Sequence, residues 1–362
     1  MFLILNGVGI RVVPQEAPPG RIAEVTKSLV NLNVLTPPEF YSIANDLSTQ
    51  SKEAHAKFWQ DAFALGKNGE LYPKHSIFSA VFAVPFYMTF GENGFAIAQF
   101  ACSLLLLFST YILVVRVFSK AYCISTLIVI CLSTEVFTAY HFFGYSYDLH
   151  GTALIMLGLC LMRKSKLWGA FIAGLALLVR PSFILFLPLL PFAWNSICKK
   201  EIADAVVGYL AAASIFLFLN YLLWGDPFVT AYQRVPMFTE YGTMILDNHP
   251  IGFNIAVFLS DWSRKLFDSK IGFLRYNPCL FLLPIAAVKI WKLPARHFFL
   301  ITTLAAVLPC IYFFSYEMWD MSFRGNRFML TSVFLVLPSL IFTVGQFAEN
   351  VRDLYRSSTV SE

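Results

Sequence analysis

Long apolar runs separated by short basic clusters constrain the fold of this chain more than any other feature of its sequence. Hydrophobic residues make up 57% of the chain and charged residues only 14%, whereas soluble domains carry roughly a quarter charged residues. Several of the runs approach the ~20 residues that a helix needs to cross the hydrocarbon core of a bilayer. The sequence therefore predicts an all-α polytopic membrane protein in which residues 1–362 form a single transmembrane domain.

The apolar runs predict about ten transmembrane helices. They are approximately 2–13, 95–118, 121–141, 150–163, 166–180, 182–198, 203–224, 277–292, 297–315 and 328–348. With a cytoplasmic amino terminus, these crossings place every basic cluster from Arg116 onward in the cytoplasm, as the positive-inside rule requires. The clusters are Arg116 and Lys120, Arg163, Lys164 and Lys166, Lys199 and Lys200, Lys289, Lys292 and Arg296, and Arg352 and Arg356. The stretch Ile77–Phe90 would reverse this arrangement if it crossed, and it is short and contains Pro85. We therefore expect a re-entrant or interfacial hairpin, or another short membrane segment, at this position.

Two long polar loops fall on the face away from the cytoplasm. The first, 14–94, carries apolar residues at helical spacing in 51–65, which predicts amphipathic interfacial helices. The second, 225–276, has Trp262, Arg264 and Lys265 in a similar interfacial pattern. Because candidate site residues lie in or next to loops on this face, we expect the active face to lie outside the cytoplasm.

The same composition argues against several classes of function. The net charge of +5 comes from juxtamembrane clusters and not from a basic stripe, so no nucleic-acid partner is expected. No metal-ligand spacing, nucleotide-binding P-loop or dinucleotide-binding turn is present, and we expect neither a metal nor a cofactor. The seven cysteines lie within or beside apolar runs without redox spacing, which indicates core residues and no disulfide framework.

Two groups of candidate site residues lie in the first loop. Glu16 follows the first predicted span, where a carboxylate could serve as general base, although Glu16 and Arg21 could also form a solvated ion pair. Tyr72, Lys74 and His75 could together bind a phosphate headgroup. The alternative is that Lys74 reaches the interface beside an aromatic belt.

Asp148 and Arg180 are charged residues at the edges of apolar runs. Asp148 is the only acid in its link between two predicted spans, and a charge at this position is costly unless it is paired or used. It could equally be a helix N-terminal acid that the helix dipole stabilises. Arg180 needs an anionic partner, which is either a bound phosphate or a carboxylate such as Asp148.

Arg324 and Arg327 precede the last predicted span and flank a glycine. Guanidinium groups bind phosphate bidentately, and a helix N-terminus adds its own positive field. The two arginines are therefore predicted to bind an anion, with anchoring to lipid phosphates as the alternative.

The order of these features resembles the GT-C superfamily of membrane glycosyltransferases, which includes protein O-mannosyltransferases and lipid A aminoarabinose transferases. Four stretches carry the resemblance: ELYPKHSIFSAVFAVPFYMTFG, GLALLVRPSFILFLPLL, GFLRYNPCLFLLPI and FRGNRFMLTSVFLVLP. The family places an Asp, often beside a Glu, in the first loop, where this chain has Gln15 and Glu16.

The resemblance implies transfer of a sugar from a polyprenyl-phosphate donor to a lipid, glycan or protein acceptor outside the cytoplasm. It implies that Glu16 is the base and that Lys74, Arg180 and Arg327 hold the lipid phosphate, while Asp148 orients the acceptor or serves as base instead. The lipid-linked sugar is then a co-substrate and membrane lipids are the surroundings. Because the sequence has no N-glycan-rich loop, retention signal or long tail, we expect the inner membrane of a bacterial cell envelope, with the endoplasmic reticulum as the alternative. The alternatives are a non-catalytic scaffold or degenerate paralogue, and a flippase or transporter of a lipid-linked anionic substrate.

Overall fold

The computed structural model describes residues 63–67, 71–73, 77–91, 93–118, 147–194, 198–238, 244–247, 255–268, 272–315 and 329–359. The α-helices in these residues are α1 (Ile77–Phe90), α2 (Asn93–Phe118), α3 (Tyr147–Leu161), α4 (Lys166–Gly174), α5 (Lys199–Trp224), α6 (Ile255–Phe267), α7 (Phe273–Tyr276), α8 (Leu283–Ile290), α9 (Arg296–Phe314) and α10 (Leu330–Thr359). Short 3-10 helices cover Leu175–Leu178, Pro181–Phe186, Leu190–Ala193, Ala231–Gln233 and Pro278–Leu282.

The described part of the chain is mostly helical, and 4 of the helices in it are long and apolar enough to cross a membrane. These are α2, α5, α9 and the part of α10 from Leu330 to Asp353. Shorter apolar helical segments are Val81–Phe90, Asp148–Leu161, Lys166–Leu178, Pro181–Ala193 and Pro278–Ile290. This agrees with a helical membrane protein. The number of crossings stays a prediction, and the predicted spans 2–13 and 121–141 lie outside the described residues.

Helices α2 and α3 run in the same direction. The Cys160 thiol donates to the Ser109 carbonyl oxygen, and Arg116 donates to the Cys160 carbonyl oxygen, both at 3.1 Å. Arg163, just after α3, donates to the Arg116 carbonyl oxygen at 3.1 Å. The two helices therefore finish at one end of the bundle, which we call the basic end, and begin at the opposite end, which we call the Asp148 end.

The other basic clusters also lie at the basic end. Lys166 is buried, and its Nζ donates to the Pro191 carbonyl oxygen at 2.9 Å. The Nε2 atom of His297, at the start of α9, lies 2.7 Å from the Phe192 carbonyl oxygen. Lys289 lies over the Phe347 ring of α10 at 5.9 Å. These basic residues thus collect at a single end, which is the arrangement that the positive-inside rule describes for one membrane face, whereas Arg264 and Lys265 lie near the end of α9 at the Asp148 end.

Small residues bring α3, α4 and α5 into close contact. A Cβ atom added to Gly158 would lie 2.6 Å from the Gly169 carbonyl oxygen. One added to Gly208 of α5 would lie 2.9 Å from the Phe171 amide nitrogen. Small residues at such contacts let helix backbones approach closely, which is how helices associate where lipid gives no hydrophobic driving force.

The predicted span 182–198 is built from 3-10 helices in its described part, not from an α-helix. The segment leads from Arg180 at the Asp148 end to Phe192 at the basic end, and it contains Pro181, Pro188 and Pro191. Proline lacks an amide hydrogen and clashes with the preceding turn of an α-helix. A 3-10 helix rises about 2.0 Å per residue against 1.5 Å for an α-helix, so a short segment covers more of the bundle's height.

Two small antiparallel sheets belong to the loops at the Asp148 end. Strand β1 (Phe63–Leu65) pairs with β2 (Leu71–Pro73), and β3 (Val235–Phe238) pairs with β4 (Met244–Asp247). The predicted helix over 51–65 is therefore wrong at its last three residues. The backbone groups of this stretch bond across a hairpin instead, and the rest of the stretch lies outside the described residues.

The two long loops meet on the end of α5. Buried Ala64 of β1 packs with Trp224 and Ala231, and the Lys67 amide donates to the Leu223 carbonyl oxygen at 2.9 Å. Arg234 donates to the Gly66 carbonyl oxygen at 3.4 Å. Segments from the first and second loops thus form one small layer over the bundle.

Helix α1 is one continuous helix through Pro85 rather than a hairpin. The chain reverses at Gly91, whose φ of 57° is a conformation that glycine adopts without steric cost. The Phe82 ring lies 5.3 Å from the His150 ring, and the Tyr87 ring lies 5.5 Å from that of Phe95. Both contacts are to the first turns of bundle helices, so α1 lies across the Asp148 end, and its depth in a bilayer stays a prediction.

Candidate functional site

A buried ion pair joins Asp148 to Arg180. The Arg180 Nη1 atom lies 3.1 Å from Asp148 Oδ1, and the two side chains are 13% and 3% exposed. Asp148 stands in the first turn of α3. Arg180 has an extended backbone (φ −160°, ψ 131°), which is the conformation that a following proline favours. The proline thus turns Arg180 out of the helical run at the point where Asp148 begins the neighbouring helix.

Two further polar contacts involve His150 and Thr152, which follow Asp148 in the first two turns of α3. His150 Nδ1 and Ser79 Oγ form a hydrogen bond of 2.7 Å, and both residues are buried. Thr152 donates to the Asp148 carbonyl oxygen at 2.9 Å, and its hydroxyl lies 2.7 Å from that of Thr331. We call the six residues of this site the Asp148 cluster: Ser79, Asp148, His150, Thr152, Arg180 and Thr331.

The Asp148 cluster gathers residues that are distant in the sequence. His150 and Ser79 are 71 positions apart, and Thr152 and Thr331 are 179 positions apart. Ser79 belongs to α1 and Thr331 to the first turn of α10, so both helices begin at this site. The sequence pattern predicts no role for Ser79, His150, Thr152 or Thr331. Their polarity within apolar runs is the one feature of the sequence that marks these residues, and it does not predict which of them are in contact.

Close packing holds the two charged residues in register. Gly151 lies against the ring of Phe183, and a Cβ atom at Gly151 would overlap that ring. Because Gly151 lies near Asp148 and Phe183 near Arg180, this contact fixes the separation of the segments that carry the ion pair. Phe183 and Phe186 are themselves buried, which leaves the segment little freedom to shift.

The Asp148 cluster combines groups that can act on an anionic substrate. A carboxylate can accept a proton or orient a hydroxyl, and a guanidinium can bind phosphate oxygens bidentately. Both act more strongly where water is excluded, because the effective dielectric constant is lower there. A buried ion pair also costs desolvation energy, so its presence is weak evidence for a stabilising role alone.

Most of the other predicted site residues lie outside the described residues. These are Glu16, Arg21, Lys74, His75, Arg324 and Arg327. Tyr72 lies in β2, and its side chain is outside the described part. In the sequence, Lys74 and His75 closely precede α1, and Arg327 closely precedes α10, and these are the helices that bring Ser79 and Thr331 to the Asp148 cluster.

Within the described residues no group of three or more His, Cys, Asp or Glu side chains could hold a metal ion. The described cysteines include the buried Cys102, Cys160 and Cys279, whereas Cys198 is exposed at the start of α5. The prediction that all cysteines are core residues is therefore wrong for Cys198, which caps a helix at the basic end.

Comparisons with family models, with curated proteins and with solved structures find no match to this chain. Its function must therefore be argued from the Asp148 cluster and the bundle that positions it.

Proposed function

We propose that this protein is a glycosyltransferase that moves a sugar from a polyprenyl-phosphate donor to a lipid, glycan or protein acceptor on the non-cytoplasmic face of a membrane. The observation that carries the proposal is the buried Asp148–Arg180 pair, which lies at the end of the bundle opposite to the basic clusters. In a bacterium, this is the outer side of the inner membrane under the positive-inside rule.

The proposed reaction needs one group to take a proton and another to hold a phosphate. The acceptor hydroxyl oxygen attacks the anomeric carbon, the bond from that carbon to the phosphate oxygen breaks, and the electron pair leaves with the polyprenyl phosphate. The hydroxyl proton passes to a carboxylate, and a cation neutralises the charge that develops on the phosphate. Asp148 and Arg180 supply these two kinds of group 3.1 Å apart.

The remaining candidate residues extend this assignment. Glu16 is the second candidate base, and Asp148 then orients the acceptor. Lys74 and Arg327 assist Arg180 with the leaving phosphate. Further residues that would donate hydrogen bonds to the lipid-linked sugar or its phosphate are Arg21, Tyr72, His75 and Arg324. Support for the phosphate-binding roles of Lys74 and Arg327 comes from their sequence positions just before α1 and α10, the helices that contribute Ser79 and Thr331 to the Asp148 cluster.

One observation favours a second candidate, a non-catalytic scaffold. Asp148 and Arg180 already pair with each other, and at 3% and 13% exposure they are nearly closed to solvent. In a scaffold this pair joins α3 to the 3-10 segment that begins at Pro181 and does nothing else. A transferase and a scaffold differ in what happens to product formation when the carboxylate becomes an amide.

The test is sugar transfer in membranes that contain the protein. Radiolabelled polyprenyl-phosphate sugars serve as donors, and wild type is compared with Asp148→Asn and with Asp204→Asn. Asp204 lies in α5 near its start, at the basic end, so it is a matched control for the loss of a carboxylate. We expect label in a new acceptor with wild type and Asp204→Asn, and a loss of about 100-fold or more with Asp148→Asn.

Two results would contradict parts of this proposal. Full transfer by Asp148→Asn removes Asp148 from the chemistry, and Glu16→Gln then tests the other base. Absence of transfer from every donor by folded wild-type protein, verified by a monodisperse size-exclusion profile in detergent, rejects the transferase and supports the scaffold.

A further inference from the structure

Helix α6 carries an exposed apolar side within the second long loop. Ile255, Leu259 and Trp262 are 54%, 65% and 46% exposed. Their spacing of four and three residues places them on one side of the helix. Apolar exposure of this kind in a contiguous stripe marks a contact surface.

A second side of α6 is fixed to the bundle. Lys265 is buried, and its Nζ donates to the Phe314 carbonyl oxygen at the end of α9, at 2.8 Å. Phe258 packs against the hydrophobic core. The sequence pattern placed Lys265 at the membrane interface, whereas its charge instead meets the negative end of a helix dipole inside the protein.

The third side of α6 is mainly polar, with exposed Phe267 at its carboxyl end. Ser260, Ser263 and Arg264 are exposed, and Arg264 pairs with Asp261 at 2.6 Å. The hydrogen bond and charge of Arg264 hold the pKa of Asp261 below its ordinary value, so this side stays charged near neutral pH. At 3.6 residues per turn, the apolar side is roughly 80° from the bundle side and roughly 125° from the polar side. An in-plane helix at a membrane surface has this order of faces.

Helix α9, to which α6 is attached, also has an exposed apolar side. Along α9 the exposed residues include Leu300, Leu304, Val307, Leu308 and Ile311, which follow helical spacing toward its end at Phe314. Because α9 is one of the helices long and apolar enough to span a membrane, this stripe faces hydrocarbon when it does so. Helix α6 is attached where the stripe ends.

We infer that α6 is an in-plane interfacial helix and that Ile255, Leu259 and Trp262 insert into the lipid leaflet at the Asp148 end. The partner is the boundary between headgroups and acyl chains of a phospholipid leaflet. This inference does not depend on glycosyl transfer. It places the end of α9, and with it the Asp148 end of the bundle, near the level of the headgroups.

The test is quenching of Trp262 fluorescence by lipids. The protein is reconstituted into phosphatidylcholine vesicles with bromine atoms either near the headgroup or near the chain terminus. The difference between wild type and Trp262→Phe isolates the Trp262 signal from that of the other tryptophans, of which the chain has seven in all. We expect the shallow bromines to quench this signal at least twofold more than the deep bromines, with little quenching by aqueous acrylamide.

Trp224→Phe is the matched control, because Trp224 lies in the same part of the molecule but is buried under the loop layer. The signal that it isolates should respond to neither kind of bromine. Quenching of Trp262 by acrylamide and not by brominated lipid would overturn the inference. So would a lipid-independent Trp262 signal together with a crosslinked dimer through Leu259→Cys, since a second copy of the chain then covers this side.

Discussion

At the scale of single residues, the Asp148–Arg180 pair is expected to have large energetic consequences. Each charge is almost fully removed from solvent, so each depends on the other for compensation. The Thr152–Thr331 and His150–Ser79 contacts lie on the same turns of α3 as Asp148. Removing one charge is therefore expected to lower the free energy of unfolding more than removing both charges does.

This asymmetry gives a stability prediction. We expect Arg180→Met to lower the free energy of unfolding by about 3–5 kcal/mol, because it leaves the Asp148 carboxylate buried without its guanidinium. Asp148→Asn in the same background should recover part of that loss. The measurement is the unfolding midpoint of detergent-solubilised protein for both single variants and the double variant. Strictly additive effects would show that the two residues do not interact energetically.

Part of this pairing could be predicted from the sequence. Asp148 and Arg180 are charges at the edges of apolar runs, and such charges need partners, which made their pairing one of two alternatives. The His150–Ser79 and Thr152–Thr331 contacts could not be predicted. They join polar residues that are distant in the chain, and none of the three residue types, Ser, Thr and His, requires a particular partner.

At the scale of elements, the close contact of α4 and α5 rests on glycine and alanine. Gly208 faces the backbone of α4, with the Ala170 Cβ atom only 3.0 Å from the position of an added Cβ atom. Since backbone atoms cannot rotate away as a side chain does, a larger residue must move the whole helix.

We expect Gly208→Leu to lower the free energy of unfolding by about 1–3 kcal/mol, the usual cost of overpacking. Ala211→Leu is the control, because Ala211 is three residues further along α5 and is exposed. The two variants can be compared by the temperature at which half the protein aggregates in detergent. A midpoint unchanged by Gly208→Leu would contradict the close contact of α4 and α5.

The sequence predicted the positions of the described spans better than their conformation. Apolar runs located α2, α5 and α9 within a few residues, because burial in hydrocarbon requires a minimum length. The same criterion does not distinguish an α-helix from the 3-10 helices of Pro181–Ala193. Strands as short as β1 give too few residues for an alternating pattern, so a helical spacing in 51–65 was the stronger signal.

At the scale of the whole molecule, the charges define two different ends. Arg116, Arg163, Lys166 and His297 meet at the basic end through backbone carbonyl contacts. The described segments of the long loops and the Asp148 cluster lie at the other end. The distribution of basic clusters along the sequence predicted this grouping, whereas the contact between the two loops depends on non-local packing that has no sequence pattern.

This division predicts the orientation of the protein in a membrane. Cys198 is exposed at the basic end, so we expect a membrane-impermeant maleimide to label it in inside-out vesicles and not in intact spheroplasts. Cys198→Ser should remove that label, and Ser260→Cys in the Cys198→Ser background should be labelled in spheroplasts instead. Labelling of Cys198 in intact spheroplasts would reverse the orientation.

The ion pair between Asp148 and Arg180 also has a consequence for how the chain is made. The two residues are 32 positions apart, so a ribosome adds Asp148 well before it adds Arg180. Until then α3 carries an acid that has no guanidinium to meet. The smallest unit in which Asp148 has its Arg180 partner is the hairpin of α3 and α4 extended to Arg180, and this hairpin, rather than α3 alone, is the natural unit for the translocon to release into lipid.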